Sequence, residues 1–330
     1  MSLPFFDALH LAAPDARVEI IVKDAVRDIF LHHPAISAIH PFSKTQTNGL
    51  LQLFRYGRAL RQKAAFDAFI TLAPSFSSAV IGLGAGCRVR IGYAGDGRSL
   101  LLTHAPRPVP GTHRVEAYCR LLDCLMLPHV SAPNAEKTVR LFFSQDEQQA
   151  RILPFTPETR QIVFNVNSEA SSRRLPLDTW IALGKKLLAD APQPVSLVFI
   201  GTAAERERVS QVMRGIGSPE RLRDFTGKTS LRELALLLRD ADVVISNDSG
   251  PMHLANAVGA PVITFFGAGN PAETAPFNRQ NAVVINKHLP CSPCVKNICQ
   301  FPTVRCLEQI SVNEILRHTV SRLSSETCMK

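Results

Sequence analysis

A polar break separates two apolar runs in VVISNDSGPMHLANAVGAPVITFFG, residues 243–267. The break is NDSG, residues 247–250, and Pro251 suits the first turn of a helix, where its missing N–H is not needed. Such a helix start carries unpaired N–H groups and partial positive charge, which suits a phosphate or diphosphate. Phosphate would repel Asp248, so its carboxylate is better placed to accept hydrogen bonds from sugar hydroxyls or backbone N–H groups. Taken alone, the loop fits a plain helix cap equally well.

Two other loops carry residues that suit an anionic, sugar-containing ligand. Arg173 and Arg174 precede a predicted helix start in NVNSEASSRRLPLDTW, and two guanidiniums beside a helix start bind anions well. A solvated arginine pair is the alternative. Glu205 lies within FIGTAAERERV, in the first helical turn after a predicted strand, where a carboxylate often binds ribose hydroxyls. Its alternative is a favourable interaction with the helix dipole.

Four cysteines cluster in CSPCVKNICQFPTVRC: Cys291, Cys294, Cys299 and Cys306. Four thiolates within sixteen residues could hold structural zinc in a tetrahedral site, although this spacing is compact for four cysteine ligands. The sequence favours unbonded or redox-active thiols over zinc, and a disulfide is disfavoured inside the cell.

Short β-like runs alternate with helix-like segments along the whole chain. Continuous Val, Ile and Leu runs in this alternation predict parallel sheets covered on both faces, and two such series predict two doubly wound α/β domains. The Pro-containing run RILPFTPETRQ, residues 151–161, is the predicted seam, which gives domains 1–155 and 156–330. Ligands of such folds bind beyond the carboxyl ends of the strands, where the three polar loops lie.

Composition and charge narrow the class of protein further. The 330 residues are 45% hydrophobic and 20% charged, as in globular proteins, and no apolar run approaches the ~20 residues of a membrane span. The N-terminus lacks the basic region of a signal peptide, which predicts a cytoplasmic protein. The net charge of +9 suits a phosphorylated ligand or an anionic membrane surface. One Trp and three Tyr give few platforms for stacking bases, so nucleic acid is not an expected partner.

The segments GTAAE, GKTSL and ISNDSGPMHLANAVGAPVITFFGAGNPAETAPF follow one another in the order and spacing of glycosyltransferase family 9. With FDAFITLAPSFSSAVIGLGAGCRVRIGY and HRVEAYCRLLDCL in the first half, nearly the whole chain resembles the heptosyltransferases of this family, closest to the heptosyltransferase II type. The resemblance implies a GT-B fold, with two Rossmann-like domains facing across a cleft. It also implies inverting transfer of heptose from ADP-heptose to the lipopolysaccharide inner core, with no metal needed for catalysis.

The resemblance also implies roles for particular residues of the second domain. Arg173 or Arg174 corresponds to the basic residue on the diphosphate, and Glu205 to the ribose-binding acid. Asp248 corresponds to the acid that contacts the heptose. The remaining donor-binding candidates lie beside the adenine or the phosphates, or in the same Asp-Ser-Gly-x-x-His-Leu block: Thr229, Ser249, Gly250, Met252 and His253.

For the first domain the resemblance implies binding of the lipid A–Kdo core at the cytoplasmic face of the inner membrane. Arg55, Arg58 and Arg61 partly share one face of a predicted helix and are candidates for this anionic acceptor, with a solvated helix face as the alternative. Arg90 and His113 match recurrent family positions and are further candidates.

One family feature has no counterpart in this sequence. Relatives open with a strand and a Gly-Asp loop, whose Asp is the proposed general base, whereas this sequence opens within the following segment, at MSLPFFDAL. The resemblance therefore assigns the catalytic base to no residue here. It leaves a nucleotide-sugar-binding relative without activity as one alternative, and a UDP-sugar epimerase of GT-B fold as another.

Overall fold

The computed structural model describes residues 1–43, 48–125, 138–153 and 158–324, and the chain divides into two compact units, Met1–Lys137 and Thr138–Lys330. The ten strands of the described part are β1 (Glu19–Lys23), β2 (Ala38–Phe42), β3 (Ala68–Ile70), β4 (Val89–Ile91), β5 (Arg160–Asn165), β6 (Val195–Phe199), β7 (Leu222–Asp224), β8 (Val243–Asn247), β9 (Val262–Phe266) and β10 (Ala282–Asn286). Its α-helices are α1 (Leu3–Ala12), α2 (Leu50–Lys63), α3 (Phe76–Gly84), α4 (Arg114–Arg120), α5 (Gln145–Gln149), α6 (Leu177–Asp190), α7 (Arg206–Ile216), α8 (Leu231–Asp240), α9 (Gly250–Ala257), α10 (Pro271–Thr274), α11 (Arg305–Glu308) and α12 (Val312–Ser324).

The second unit is built on a six-stranded parallel sheet in the order β10-β9-β8-β5-β6-β7. Strands β5, β6, β8 and β9 have buried apolar residues along their length, as the uninterrupted Val, Ile and Phe runs predict for a sheet covered on both faces. Trp180 of α6 packs against Phe164 and Phe265 in the core. Successive strands proceed from β5 to β7 in one direction, and β8 then returns to the other side of β5, so a topological switch point lies between β5 and β8.

The first unit contains two parallel strand pairs, β1 with β2 and β3 with β4. Helix α1 buries Phe5, Phe6 and Leu9 in a cluster with Ile20 of β1. Helices α2 and α3 approach so closely that a Cβ added at Gly57 would lie 2.2 Å from the Ile81 carbonyl oxygen. Glycine is required at this crossing because any side chain would force the helices apart.

Residues 138–153 belong to the second unit and are bound to its helices and loops. The Val139 N–H donates to Asn278 Oδ1 at 3.0 Å, and the Leu141 N–H donates to the Ala257 carbonyl at 3.0 Å. Arg232 of α8 binds Glu147 with both arms of its guanidinium, at 2.6 Å for each of two N–O pairs. The predicted boundary between residues 155 and 156 lies outside the described residues, and the contact units divide earlier, between Lys137 and Thr138.

The predicted strands of both units are present and parallel, which confirms the α/β class. Strand β7 was not predicted, because LRD is short, carries two charges and has no apolar run. Among the described helices, none is long and apolar enough to cross a membrane.

Candidate functional site

The loops after β5 and β8 meet at the switch point of the second unit. Arg173 Nη1 lies 3.3 Å from Asp248 Oδ2, and both side chains are mostly buried, with 27% and 4% of their surface exposed. The polar break after β8 therefore faces the arginine of the loop after β5. Ligands of doubly wound sheets bind in this crevice, beyond the carboxyl ends of the strands.

Asp248 lies in an environment that disfavours its charge. Burial raises its pKa to about 6, although the nearby Arg173 guanidinium lowers it. Its Oδ2 has no hydrogen bond despite the ion pair. The carboxylate rests on Gly269, where an added Cβ would lie 2.0 Å from Oδ2. Gly269 was missed in the sequence, although GAGN directly after β9 is a signal for close backbone approach.

Helix α9 begins in the polar break without a side-chain cap. Ser249 occupies the N-cap position, but its hydroxyl makes no capping bond; it accepts from Asn165 Nδ2 at 2.7 Å and donates to the Asn247 carbonyl at 3.3 Å. A plain capping role for Ser249 is therefore wrong. The space in front of Gly250 is open, since an added Cβ would meet no atom within 4 Å. An uncapped, accessible helix start suits an anion.

Two further candidates of this block are only partly available to a ligand. The Met252 side chain is buried, and its sulfur accepts a hydrogen bond from Thr264 Oγ1 at 3.0 Å. The Met252 N–H donates to the Ser249 carbonyl at 3.2 Å within the first helical turn. His253, which follows Met252 in α9, is half-buried.

Side-chain hydrogen bonds fix the loop after β5 to the loop after β8. Ser168 Oγ donates to the Asp248 carbonyl at 3.0 Å, and Asn165 Nδ2 donates to Ser246 Oγ at 2.8 Å. The Leu175 N–H donates to Asn247 Oδ1 at 3.0 Å. These contacts hold the Arg173 backbone in register with Asp248.

The two adjacent arginines have different environments. Arg174 donates to carbonyls of its own loop, from Nε to Ser168 at 2.7 Å and from Nη2 to Glu169 at 3.2 Å. Arg173 instead faces Asp248, and its buried Nε has no protein partner. Arg173 is thus the arginine that the fold directs to the switch point, a choice that the sequence left open.

Arg208 of α7 supports the same loop and was not predicted. Its Nε donates to the Val166 carbonyl and its Nη2 to the Leu175 carbonyl, both at 3.1 Å, so it holds both ends of the loop. Burial lowers the pKa of Arg208, the nearby Arg174 charge lowers it further, and Glu205 opposes both effects. Positive charge is therefore concentrated beside the carboxyl end of β5.

Glu205 is partly engaged in a capping box. Its Oε2 accepts from the Thr202 N–H at 2.7 Å and from Thr202 Oγ1 at 3.0 Å. A ribose contact from Glu205 therefore falls to Oε1. Thr229 lies half-buried in the loop that follows β7.

The acceptor candidates lie in the first unit and are not all exposed. Arg55, Arg58 and Arg61 of α2 are exposed. The guanidinium of Arg90 donates to the carbonyls of Leu101 and Cys87, at 2.7 and 2.6 Å. His113 is buried and caps α4, with Nδ1 accepting from the Val115 N–H at 3.2 Å. The last two side chains thus have structural contacts, and their acceptor role stays a prediction.

The four cysteines line one cavity together with Gly267, Ala268 and Ser172. The cysteine loop also contacts the Arg173 loop, since the Ser172 N–H donates to the Asn297 carbonyl at 3.2 Å. Among the residues that the structure describes, no three His, Cys, Asp or Glu side chains are placed to hold a metal ion, so the zinc prediction is not supported. Cys306 is buried against Gly267, and Cys299 Sγ donates to the Thr303 carbonyl at 3.4 Å, so these thiols have other neighbours.

Comparisons with known proteins agree with this geometry. The model of glycosyltransferase family 9 (heptosyltransferase) matches residues 53–305. A lipopolysaccharide core heptosyltransferase OpsX of Haemophilus influenzae is 25% identical over 82% of this chain and 76% of its own. Lipopolysaccharide heptosyltransferase 1 of Pseudomonas aeruginosa is 26% identical over 91% of this chain and 83% of its own.

Solved structures share the fold at low identity. ADP-heptose lipopolysaccharide heptosyltransferase II of Escherichia coli superposes with a TM-score of 0.78 at 22% identity, covering 98% of this chain and 94% of its own. Escherichia coli heptosyltransferase WaaC with ADP gives 0.73 at 20% identity, covering 97% and 95%. The predicted GT-B fold is therefore confirmed. Since the family model spans most of the sequence and includes both loops of the switch point, the chain belongs to glycosyltransferase family 9, the heptosyltransferases.

Proposed function

We propose that this glycosyltransferase moves heptose from ADP-heptose to the lipopolysaccharide inner core. The observation that carries the proposal is the Arg173–Asp248 pair at the switch point, beside a helix start without a side-chain cap. Relatives are named lipopolysaccharide heptosyltransferases, and one structure of the same fold is a heptosyltransferase with ADP, which supports this donor and this acceptor.

Different residues of the site contact different parts of the donor. Arg173 and the N–H groups at the start of α9 supply the positive charge that a diphosphate needs. Asp248 accepts hydrogen bonds from heptose hydroxyls and so orients the sugar. Glu205 Oε1 accepts from a ribose hydroxyl, and the Thr229 loop lies beside the adenine.

The reaction is a displacement at the anomeric carbon. An acceptor hydroxyl oxygen bonds to that carbon while its bond to the diphosphate oxygen breaks, and ADP leaves with the electron pair. Negative charge grows on the diphosphate in the transition state, where Arg173 and the start of α9 stabilise it. The acceptor hydroxyl loses its proton to a base that is not assigned to a residue of this chain.

The acceptor is proposed to be the lipid A–Kdo core at the cytoplasmic face of the inner membrane. The exposed arginines of α2 (Arg55, Arg58 and Arg61) suit the phosphates and carboxylates of this molecule. The net charge of +9 favours approach to an anionic membrane surface. The family assignment does not favour an epimerase.

Calorimetric titration with ADP-heptose and ADP, together with an assay of transfer to Kdo–lipid A, tests the proposal. Arg173→Met should weaken both ligands about tenfold or more, because a charge-assisted contact to the diphosphate is lost. Arg214→Met is the matched control, since Arg214 is an exposed partner of Glu207 on α7. Gly250→Ala should fold normally yet exclude both ligands, because its methyl group enters the open space before the helix.

Asp248→Ala tests whether the carboxylate contacts the sugar of the donor and not its nucleotide. It should weaken ADP-heptose while ADP affinity stays within about threefold, because the carboxylate contacts only the sugar. Equal loss of both ligands would refute the sugar contact. Donor binding without transfer would favour a nucleotide-sugar-binding relative, and no binding of either ligand would refute the proposed donor.

A further inference from the structure

A second group of buried polar side chains lies beyond the ends of β5, β6 and β7, next to the Arg173–Asp248 pair. Asn167 is 3% exposed, and neither its Nδ2 nor its Oδ1 has a partner in the protein. Thr226 is fully buried, and its Oγ1 also has no partner. The Thr226 backbone is satisfied, since its N–H donates to Asp224 Oδ1 at 2.8 Å and its carbonyl accepts from Arg206.

These side chains converge on Gly201. A Cβ added there would lie 2.9 Å from Asn167 Nδ2, 3.2 Å from Glu205 Oε2 and 3.4 Å from Thr226 Cγ2. The Gly227 N–H donates to the Gly201 carbonyl at 2.8 Å, which fixes the two loops together. The loops that follow three strands thus bring the Asn167 amide, the Glu205 carboxylate and the Thr226 methyl group against Gly201, where any side chain would clash with them.

Polar atoms buried without partners are rare in folded proteins, because each forfeits the hydrogen bonds that it makes with water in the unfolded chain. Alanine or valine at these two positions would avoid that loss if only packing mattered. The buried amide and hydroxyl therefore point to a ligand that both donates and accepts hydrogen bonds.

We propose that Asn167, with Thr226 beside it, is a specificity-determining residue that hydrogen-bonds the ribose hydroxyls of the donor nucleotide. This inference rests on the proposed adenine-nucleotide donor. A phosphate lacks the donors that Asn167 Oδ1 needs, and Glu205 would repel it. Asn167 directly precedes Ser168, whose hydroxyl donates to the Asp248 carbonyl. Asn167 therefore lies beside the proposed diphosphate site, and ribose is the part of the donor nucleotide attached to the diphosphate.

The ribose contact is tested by comparing ADP with its analogues in the full chain. Calorimetry measures the affinities of ADP, 2′-deoxy-ADP, 3′-deoxy-ADP and inosine 5′-diphosphate for the wild type, Asn167→Ala and Thr226→Val. We expect the wild type to bind at least one deoxy analogue 5- to 30-fold more weakly than ADP. In Asn167→Ala, ADP should weaken about tenfold, and this preference should fall to about one. Thr226→Val, which keeps the side-chain shape, should reduce the preference by a smaller factor.

Thermal unfolding distinguishes a ligand contact from a structural one. The melting temperature of unliganded Asn167→Ala and Thr226→Val should be unchanged or higher, because partnerless polar atoms are removed. Lower melting temperatures with equal weakening of ADP and both deoxy analogues would overturn the inference. Loss of the preference for ADP over inosine 5′-diphosphate alone would place Asn167 on the base and also overturn it. If the wild type binds no ADP, the proposed donor is refuted, and the inference is refuted with it. If the wild type binds ADP and Asn167→Ala keeps the same preference for ADP over the deoxy analogues, only the inference is refuted.

Discussion

Replacing Asp248 by asparagine should stabilise the unliganded protein at neutral pH while weakening its binding of ADP-heptose. In the unfolded chain this carboxyl group titrates near 3.8, whereas burial raises its pKa in the folded protein to about 6, with Arg173 opposing. Between these values the unfolded state binds fewer protons than the folded state, so stability falls as pH rises from about 4 to about 6. Well above pH 6 the carboxyl group is ionised in both states, so its titration no longer changes the stability.

The size of the effect follows from the pKa difference. At ~1.4 kcal/mol per pKa unit, ionising the buried carboxyl costs the folded state about 3 kcal/mol at pH 7. Asparagine has the shape of the protonated acid and carries no charge, so it avoids this cost. For a unit of this size, about 3 kcal/mol corresponds to a rise in melting temperature of roughly 6 to 12 °C. Near pH 4 the two proteins should have nearly equal stability.

The assay is thermal unfolding of the unliganded wild type and Asp248→Asn between pH 4 and pH 8. Asp240→Asn is the matched control, because Asp240 is equally buried but accepts from the Ile152 N–H at 2.7 Å and pairs with Arg239 at 3.0 Å. That substitution should destabilise the protein by about 2 kcal/mol or more. The reasoning is refuted if Asp248→Asn is no more stable than wild type at pH 7, or if the difference does not change between pH 4 and pH 7.

Three further substitutions test the support of the site. Gly269→Ala should reduce transfer about 10- to 100-fold in the enzyme assay, because its methyl group would displace the Asp248 carboxylate; full activity would contradict the close contact. Arg208→Met should cost about 2 kcal/mol in denaturant unfolding and weaken ADP binding in calorimetry, because both ends of the arginine loop lose a charged donor. Gly267→Ala should cost about 1–3 kcal/mol in the same unfolding assay, because its Cβ would lie 2.4 Å from Cys306 Sγ. Adding Cys306→Ala should recover at least half of that loss, and no recovery would mean that the crowding lies elsewhere.

Much of the fold follows from local pattern. Continuous Val, Ile and Phe runs predict buried parallel strands because both faces of such strands are covered, and β5, β6, β8 and β9 confirm this. Strand β7 was not predicted, because three residues with two charges show no alternation of apolar and polar side chains. Only its pairing with β6 makes it a strand. The four-cysteine spacing left a zinc site possible, but spacing along a chain does not say where each thiol points.

Only packing decided how the site residues are used. Arg173 and Arg174 are chemically identical neighbours, and the turn of their loop directs one to Asp248 and the other to its own carbonyls. Asn167 carried no signal in the sequence, because its significance comes from burial without a partner.

The sequence by itself determined the α/β class and the family, and it predicted the loops after β5, β6 and β8 as the carriers of function. These depend on residue type and local spacing, which a chain displays without folding. The tertiary structure alone decided the Arg173–Asp248 pair, the raised pKa of Asp248 and the convergence of side chains on Gly201. The physical reason is that contact and burial arise when a parallel sheet brings distant strand ends together, and neither quantity is a property of residues taken one at a time.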